Sequence, residues 1–436
     1  MRDLTSRLRE IVRRDHGGGA PAPPVRELTY VPDTDGLAVS VGRAAETLGG
    51  VPLDGEAACL VVDRVWEPHE SHGRRSVEHY AIDPDSPLAL FDATAAGSDT
   101  SWAGRVVFFD LETTGLSGGA GTLPFLAGCG WFEDGAFRVR QFFLTGPAGE
   151  RAMLDALAKI FDEATLLVSF NGRSFDVPLM EMRWAFHRGE AATDGLRHFD
   201  MLHSARRLWG RRGLRDHAEL AEPSSCTLSA LERQVIGFHR IGDVPGFEIP
   251  TRYFHYLRTG EASVIAGVLE HNRHDLLSTA AVMSHALWLA REGPDACREA
   301  TELMGLGRLY ERAGDTDRAL LSFERAAFGD DRDVRPHALA RLATLLSRLS
   351  RHDAAASAWQ SLLDDGRRRR GPLSPLTRRA AEALAIHHEH RARDFDAAKR
   401  YAEQLETHAD DRTRRDAAHR LGRLNRKISA KGSLLS

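Results

Sequence analysis

Nowhere in the 436 residues does an apolar run approach the roughly 18 to 20 residues that a membrane-spanning helix requires. A helical membrane protein is therefore excluded. Cysteine is scarce: Cys59, Cys129, Cys226 and Cys297 stand far apart and form no C-x-x-C pair. That argues against a structural zinc site and against a disulfide framework, and for a reducing cytoplasm. The opening MRDLTSRLREIVRRDHG lacks the apolar core of a secretory signal and reads instead as a short amphipathic helix, with Leu4, Leu8, Ile11 and Val12 on one side. A strong charge imbalance is also missing. The net charge of −4 excludes no anionic partner, because an acidic site and local basic surface can coexist on one chain. Basic clusters occur at Arg206, Arg207, Arg211, Arg212 and Arg215, and at 367–370. From Asp411 to Lys431 there are eight Lys or Arg against two Asp. Each cluster reads equally well as the solvated face of an arginine-rich protein.

With 42% hydrophobic and 28% charged residues, the composition is that of a soluble globular chain, and its length calls for two or three domains. Residues 1–103 form an irregular lead-in: a helix, the linker GGGAPAPPVRE, and short strands at Cys59–Asp63 and His79–Ile82. Residues 104–292 alternate in type. Apolar β runs at Arg105–Leu111, Phe125–Phe132 and Phe137–Leu144 come first, the last two joined through the hairpin signal Asp134-Gly135. A helix marked by Met153, Leu154, Leu157, Ile160 and Phe161 follows, then a strand at Leu166–Phe170 and a helix holding Met180, Met182 and Trp184. Residues 296–436 are helical and weakly repetitive, with polar turns ending at Asp317, Asp353 and Asp396, 36 and 43 positions apart. A plain helical bundle is the alternative to stacked repeats.

The richest motif is Val106-Val-Phe-Phe-Asp-Leu-Glu-Thr-Thr-Gly115. Residues two apart on a strand share a face, so Asp110 and Glu112 project together from a strand whose other members belong in a core. Two such acids repel each other and resist desolvation unless a cation joins them, and hard divalent ions want oxygen ligands of this kind. Thr113, Thr114 and Gly115 then offer small side chains and backbone to a substrate. The second motif, Ser169-Phe-Asn-Gly-Arg-Ser-Phe-Asp-Val-Pro178, ends a strand at Asn171-Gly172 and starts a helix near Asp176. Asp176 is either a helix cap or a third ligand at a neighbouring strand exit. The third, Leu269-Glu-His-Asn-Arg-His-Asp-Leu-Leu277, lies on a continuous helix where His271 and Asp275 are one turn apart. That pairing suits a ligand with a base for water-mediated phosphodiester hydrolysis, although taken alone it is more often structural.

In this order the motifs resemble the DEDD superfamily of 3′→5′ exonucleases. Residues 104–290 resemble more closely the YprB-type ribonuclease H-like domain of bacterial proteins, some with helical repeats behind it. The resemblance rests on F-F-D-L-E-T-T-G-L, Ser117-Gly-Gly-Ala-Gly-Thr-Leu-Pro124, S-F-N-G-R-S-F-D-V-P, Phe199-Asp-Met-Leu202, Ala205-Arg-Arg-Leu-Trp209, Cys226-Thr-Leu-Ser-Ala-Leu-Glu232, V-P-G-F-E-I-P with Tyr253-Phe254, and H-N-R-H-D. It implies an α/β ribonuclease H-like mixed sheet flanked by helices, followed by an all-α helical-repeat domain. It also implies two Mg²⁺ or Mn²⁺ ions held by Asp110, Glu112, Asp176 and Asp275, with Asp110 bridging, and a single-stranded DNA or RNA substrate cut from its 3′ end. Asn171 joins Thr113 to Gly115 as a substrate contact. One departure stands out. The histidine-type branch places its base five positions before the last Asp, where this chain has Glu270. The tyrosine-type branch places it four before, where this chain has His271. His271 is thus the expected general base or water-positioner, and His274 is turned about 100° away around the helix. Gly307, Tyr310, Ala313, Ala319 and Phe323 of the first helical unit resemble a tetratricopeptide repeat. A helical-repeat adaptor that binds a protein partner, with the nuclease-like domain as accessory, is the alternative reading.

Overall fold

The computed structural model describes residues 34–53, 56–97, 102, 104–115, 121–210, 226–367, 374–408 and 411–433. The expected N-terminal helix and linker, Arg211, Arg212 and Arg215, residues 368–370, and the first part of the glycine-rich loop lie outside them. Val41–Ser436 form one compact unit; the other unit, Met1–Ser40, contributes to the described residues only the start of a helix, α1 (Thr34–Leu48).

Seven strands make one mixed sheet: β1 (Val51–Leu53), β2 (Glu56–Trp66), β3 (Val106–Thr113), β4 (Pro124–Glu133), β5 (Ala136–Leu144), β6 (Leu166–Ser169) and β7 (His198–Asp200). Their spatial order is β1-β2-β5-β4-β3-β6-β7. The pairs from β1 through β3 are antiparallel, and β3-β6 and β6-β7 are parallel. The β4-β5 turn is made by Asp134 (φ 51°) and Gly135 (φ 80°), two successive left-handed residues of the kind a tight hairpin requires. Two strands of the lead-in extend this sheet rather than forming a separate body, with β2 pairing along β5 from Cys59 to Trp66. The strand expected at His79–Ile82 is instead a 3₁₀ turn, Val77–Tyr80. There Tyr80 is buried and donates its hydroxyl to the His72 carbonyl, a local anchor that competes with extended pairing.

Helices α2 (Glu150–Asp162), α3 (Asp176–Phe186), α4 (Met201–Leu208), α5 (Ile249–Thr259) and the 30-residue α6 (Ser263–Glu292) flank the sheet. Val107, Phe109 and Leu111 bury one face of β3 in a core with Leu154, Met180 and Ile265, whereas Phe108 faces a second core with Leu276, Ala280 and Met283. Asp110 and Glu112 continue the Phe108 face toward the strand end, beneath α6.

The rest is all helical: α7 (Ala300–Ala313), α8 (Thr316–Phe328), α9 (Arg335–Arg348), α10 (His352–Arg367), α11 (Pro375–His387), α12 (Phe395–His408) and α13 (Asp411–Ser433), each packed on the next. Asp317, Asp353 and Asp396 fall within first helical turns, and the capping is done earlier in the chain, by Asp315 on Arg318 and Asp394 on Ala397. Gly307 permits the closest approach of α7 and α8, because a Cβ there would stand 2.5 Å from the Phe323 ring. These helices share a core with the sheet. Tyr310 donates to the Ala290 carbonyl of α6 at 2.8 Å, and Trp209 Nε1 donates to Glu302 of α7 at 3.2 Å. Among the described residues no helix is long and apolar enough to cross a membrane. None of the four cysteines is in a disulfide.

Candidate metal centre

Strand β3 delivers Asp110 and Glu112 half-buried, and burial pushes both carboxyls well above the usual carboxylate range. Repulsion adds to burial: Asp275 and Asp176 act on Asp110, and Asp110, Asp275 and Asp176 act on Glu112. Asp176 is the first residue of α3 and makes no cap bond, so the capping alternative fails. Burial, then Asp200 and Asp275, raise it to about 7. The four acids expected from the sequence thus meet at one place, where Asp275 makes Asp110, Glu112 and Asp176 each harder to ionise. Oxygens of Glu112 and Asp275 and a ring nitrogen of His271 lie within 4.8 Å of one another, close enough to share a cation. This donor set fits a hard divalent ion, which would relieve the repulsion directly.

The atoms facing away from the cluster are tied down. His271 Nδ1 is 2.7 Å from Asp243 Oδ1, while its Nε2 is 3.4 Å from Asp275 Oδ2. Carboxylates therefore face both ring nitrogens, and Asp243 on Nδ1, with Arg240 Nη1 3.3 Å from the same atom, fixes the imidazole so that Nε2 looks toward Asp275. Although burial opposes it, the His271 bond holds the Asp243 carboxyl below its ordinary value. The other Asp275 oxygen pairs with Arg240, whose side chain is 8% exposed and is also held by Glu232 (3.0 and 3.1 Å from Nε) and Asp243 (3.2 Å). Despite burial, Asp275 and Glu232 hold Arg240 even more firmly charged than usual. Asp110 Oδ2 accepts from Asn272 Nδ2 at 2.8 Å.

Of the expected substrate contacts, Thr113 and Thr114 have hydroxyls engaged in the loop itself. Thr113 donates to the Gly115 carbonyl at 2.8 Å, and Thr114 accepts from the Leu123 amide at 2.9 Å. Gly115 borders open space, with nothing nearer than 3.9 Å to a Cβ built on it. Asn171 turns the chain in the left-handed region (φ 72°), its amide donating to Asp200. Asp200 is 2% exposed, and it also takes the Arg173 and Leu202 amides, so it fixes the turn that carries Asp176. Glu270 points elsewhere, to Arg273 and His274. His274 packs with Trp66, His72 and Phe238, where burial lowers it to about 4.

Sequence reasoning missed Arg240, Asp243, Glu232, Asp200, Asn272 and Gln141. Two carried a signal: Asn272 sits four residues from Val268 and from Leu276 on the buried stripe of α6, and Gln141 lies between Val139 and Phe143 on an inward face of β5. A lone polar residue in an apolar stripe is the informative observation. Arg240 and Asp243 come from irregular chain and carried none.

Comparison with known proteins agrees with this architecture. The ribonuclease H superfamily model matches residues 107–287, from β3 to within α6. Over 383 residues the chain is 30% identical to "Uncharacterized protein YprB" of Bacillus subtilis (strain 168), an alignment covering 85% of this chain and 87% of that one. This chain accordingly belongs to the family of that Bacillus subtilis protein, and its residues 107–287 form a ribonuclease H superfamily domain.

Proposed function

We propose that the chain is a metal-dependent nuclease that shortens single-stranded nucleic acid from its 3′ end by a two-metal-ion mechanism. The carrying observation is the convergence of Asp110, Glu112, Asp176 and Asp275, three of them held above the ordinary carboxylate range by burial and by one another. The superfamily match supports nuclease chemistry and nucleic-acid binding in general. Asp110, Glu112, Asp176 and Asp275 would hold the divalent ions, Mg²⁺ or Mn²⁺. Such ions would supply an activated water and charge stabilisation at the leaving oxygen. His271 Nε2, oriented by Asp243 through Nδ1, takes the proton of the attacking water or positions that water. Thr113, Thr114, Gly115 and Asn171 line the approach with small side chains and backbone, leaving room for a sugar-phosphate chain.

The test is purified protein with Mn²⁺ or Mg²⁺ on matched 5′-labelled DNA and RNA strands. The expected result is a ladder shortening from the 3′ end, an intact circular strand, and no reaction with Asp110→Asn. Intact linear strands, or equal cleavage by the variant, would overturn the proposal. Cuts in the circular strand would assign an endonuclease instead.

A further inference from the structure

Across three neighbouring strands, Asp110 of β3, Gly128 of β4 and Gln141 of β5 stand in one row, each the register partner of the next. Asn272 of α6 lies over the middle of that row. Its Nδ2 donates to Asp110 Oδ2 at 2.8 Å and reaches the Asp110 carbonyl at 3.3 Å, and its Oδ1 accepts from Gln141 Nε2 at 2.8 Å. Gln141 Nε2 donates also to the Leu269 carbonyl at 2.8 Å. Both amides are sealed from water, Asn272 at 0% and Gln141 at 1% exposure. Glycine is required beneath them, because a Cβ at Gly128 would stand 2.1 Å from Asn272 Oδ1.

The direction of this chain is decided by chemistry. A backbone carbonyl only accepts, so Leu269 obliges Gln141 to present its NH₂ group there. That same NH₂ obliges Asn272 to present its oxygen to Gln141. The Asn272 NH₂ must then face Asp110, and neither amide can flip without leaving a buried acceptor facing another acceptor.

We infer that Gln141 and Asn272 are positioning residues for the metal centre: a one-way amide relay that runs from the Leu269 carbonyl to Asp110 and commits Oδ2 to Asn272, leaving Oδ1 to face the cation. The inference rests on the metal-dependent reading above, and it predicts that a residue two hydrogen bonds from Asp110 sets cation affinity. Gln141→Glu is the incisive variant. It keeps size and shape, yet its carboxylate accepts where the amide donated, so Asn272 turns its NH₂ toward position 141 and its oxygen toward Asp110.

The experiment is Mn²⁺ titration of the full chain followed by EPR, well below each variant's melting temperature. Wild type, Asp110→Asn, Gln141→Glu and the volume-conserving Gln141→Met are compared, the last covering the case in which Gln141→Glu fails to fold. The relay predicts Mn²⁺ affinity lower by roughly 10- to 100-fold in either Gln141 variant, the range seen when an outer partner of a metal ligand is lost. A merely structural glutamine would lower the melting temperature and leave the Mn²⁺ affinity of the folded protein unchanged, which overturns the relay. If wild type binds Mn²⁺ and Asp110→Asn does not, that failure touches the relay alone. If wild type binds no Mn²⁺, relay and metal reading fall together.

Discussion

Two regions of this molecule bury carboxylates, and they do so in opposite ways. In the helical region Glu389 has a fully buried side chain that accepts from Arg423 (2.7 and 2.8 Å), Lys427 (2.9 Å) and Arg420 (3.2 Å). Those bonds, Arg423 first, hold its carboxyl down at about 2. In the sheet region Asp110, Glu112 and Asp176 are buried chiefly with other acids, and Arg240 supplies a single countering charge to Asp110 and Glu112. The first arrangement is complete within the chain and ties the turn after α11 to α13 through a shared anion. The second is incomplete without added positive charge. Perturbed carboxyls alone do not separate structure from function, but the sign of the perturbation and the charge of the neighbours do.

The comparison breaks most sharply on Asp110→Asn. Removing one repelling acid is expected to raise the melting temperature in EDTA while lowering strand degradation at least about a thousandfold, as loss of several kcal/mol of charge stabilisation requires. A fall in both would place Asp110 with Glu389, among structural acids. The mirror variant, Glu389→Gln, strands three cations. It is expected to destabilise by about 3 kcal/mol, the low end for a buried pair because Lys427 and Arg423 keep about a third of their side-chain surface in water. Mn²⁺ affinity should not move, and calorimetry beside chemical denaturation reads both.

The smallest effect is on the pH dependence of stability in EDTA. Asp176 has a folded value of about 7 against an ordinary 3.8, so between those values the folded protein holds a proton that the unfolded chain has released, and stability falls as pH rises. Glu389 has the reverse order, about 2 against 4.5, so its contribution is complete above the ordinary value and is lost as pH falls through about 2. The melting profile should therefore peak between the two branches, near about pH 4 to 5. Asp176→Asn should flatten the upper branch, Glu389→Gln the lower, and saturating Mn²⁺ the upper alone.

What the sequence made legible follows from how local each signal is. The strand–turn–helix order and the D-x-E pair are set by period-2 alternation and short-range turns, so β3 to α3 lie close to where patterning puts them. The lead-in was harder, because pairing of β2 with β5 joins segments about 80 residues apart and no local feature announces it. The same reason hid the framework of the site. Arg240 and Asp243 reach His271 and Asp275 from irregular chain some 30 residues away, and Asp200 holds the Asn171 turn from 29 positions on. The groups facing the cation are written in motifs, whereas the groups that aim them are written in the fold. The helical tail shows the reverse balance: its pairs are visible in sequence, but its shared core with α4 and α6, which packs the tail onto the sheet domain, is not.

The central claim is that the four acids form a cation site. Anomalous diffraction from crystals of the full chain soaked in Mn²⁺ tests it most directly. The account predicts two peaks within ligand distance of Asp110, with Glu112, Asp176 and Asp275 completing the two sets, and no peak in Asp110→Asn crystals. Manganese bound elsewhere, or acids left without an ion at saturating Mn²⁺, would contradict it.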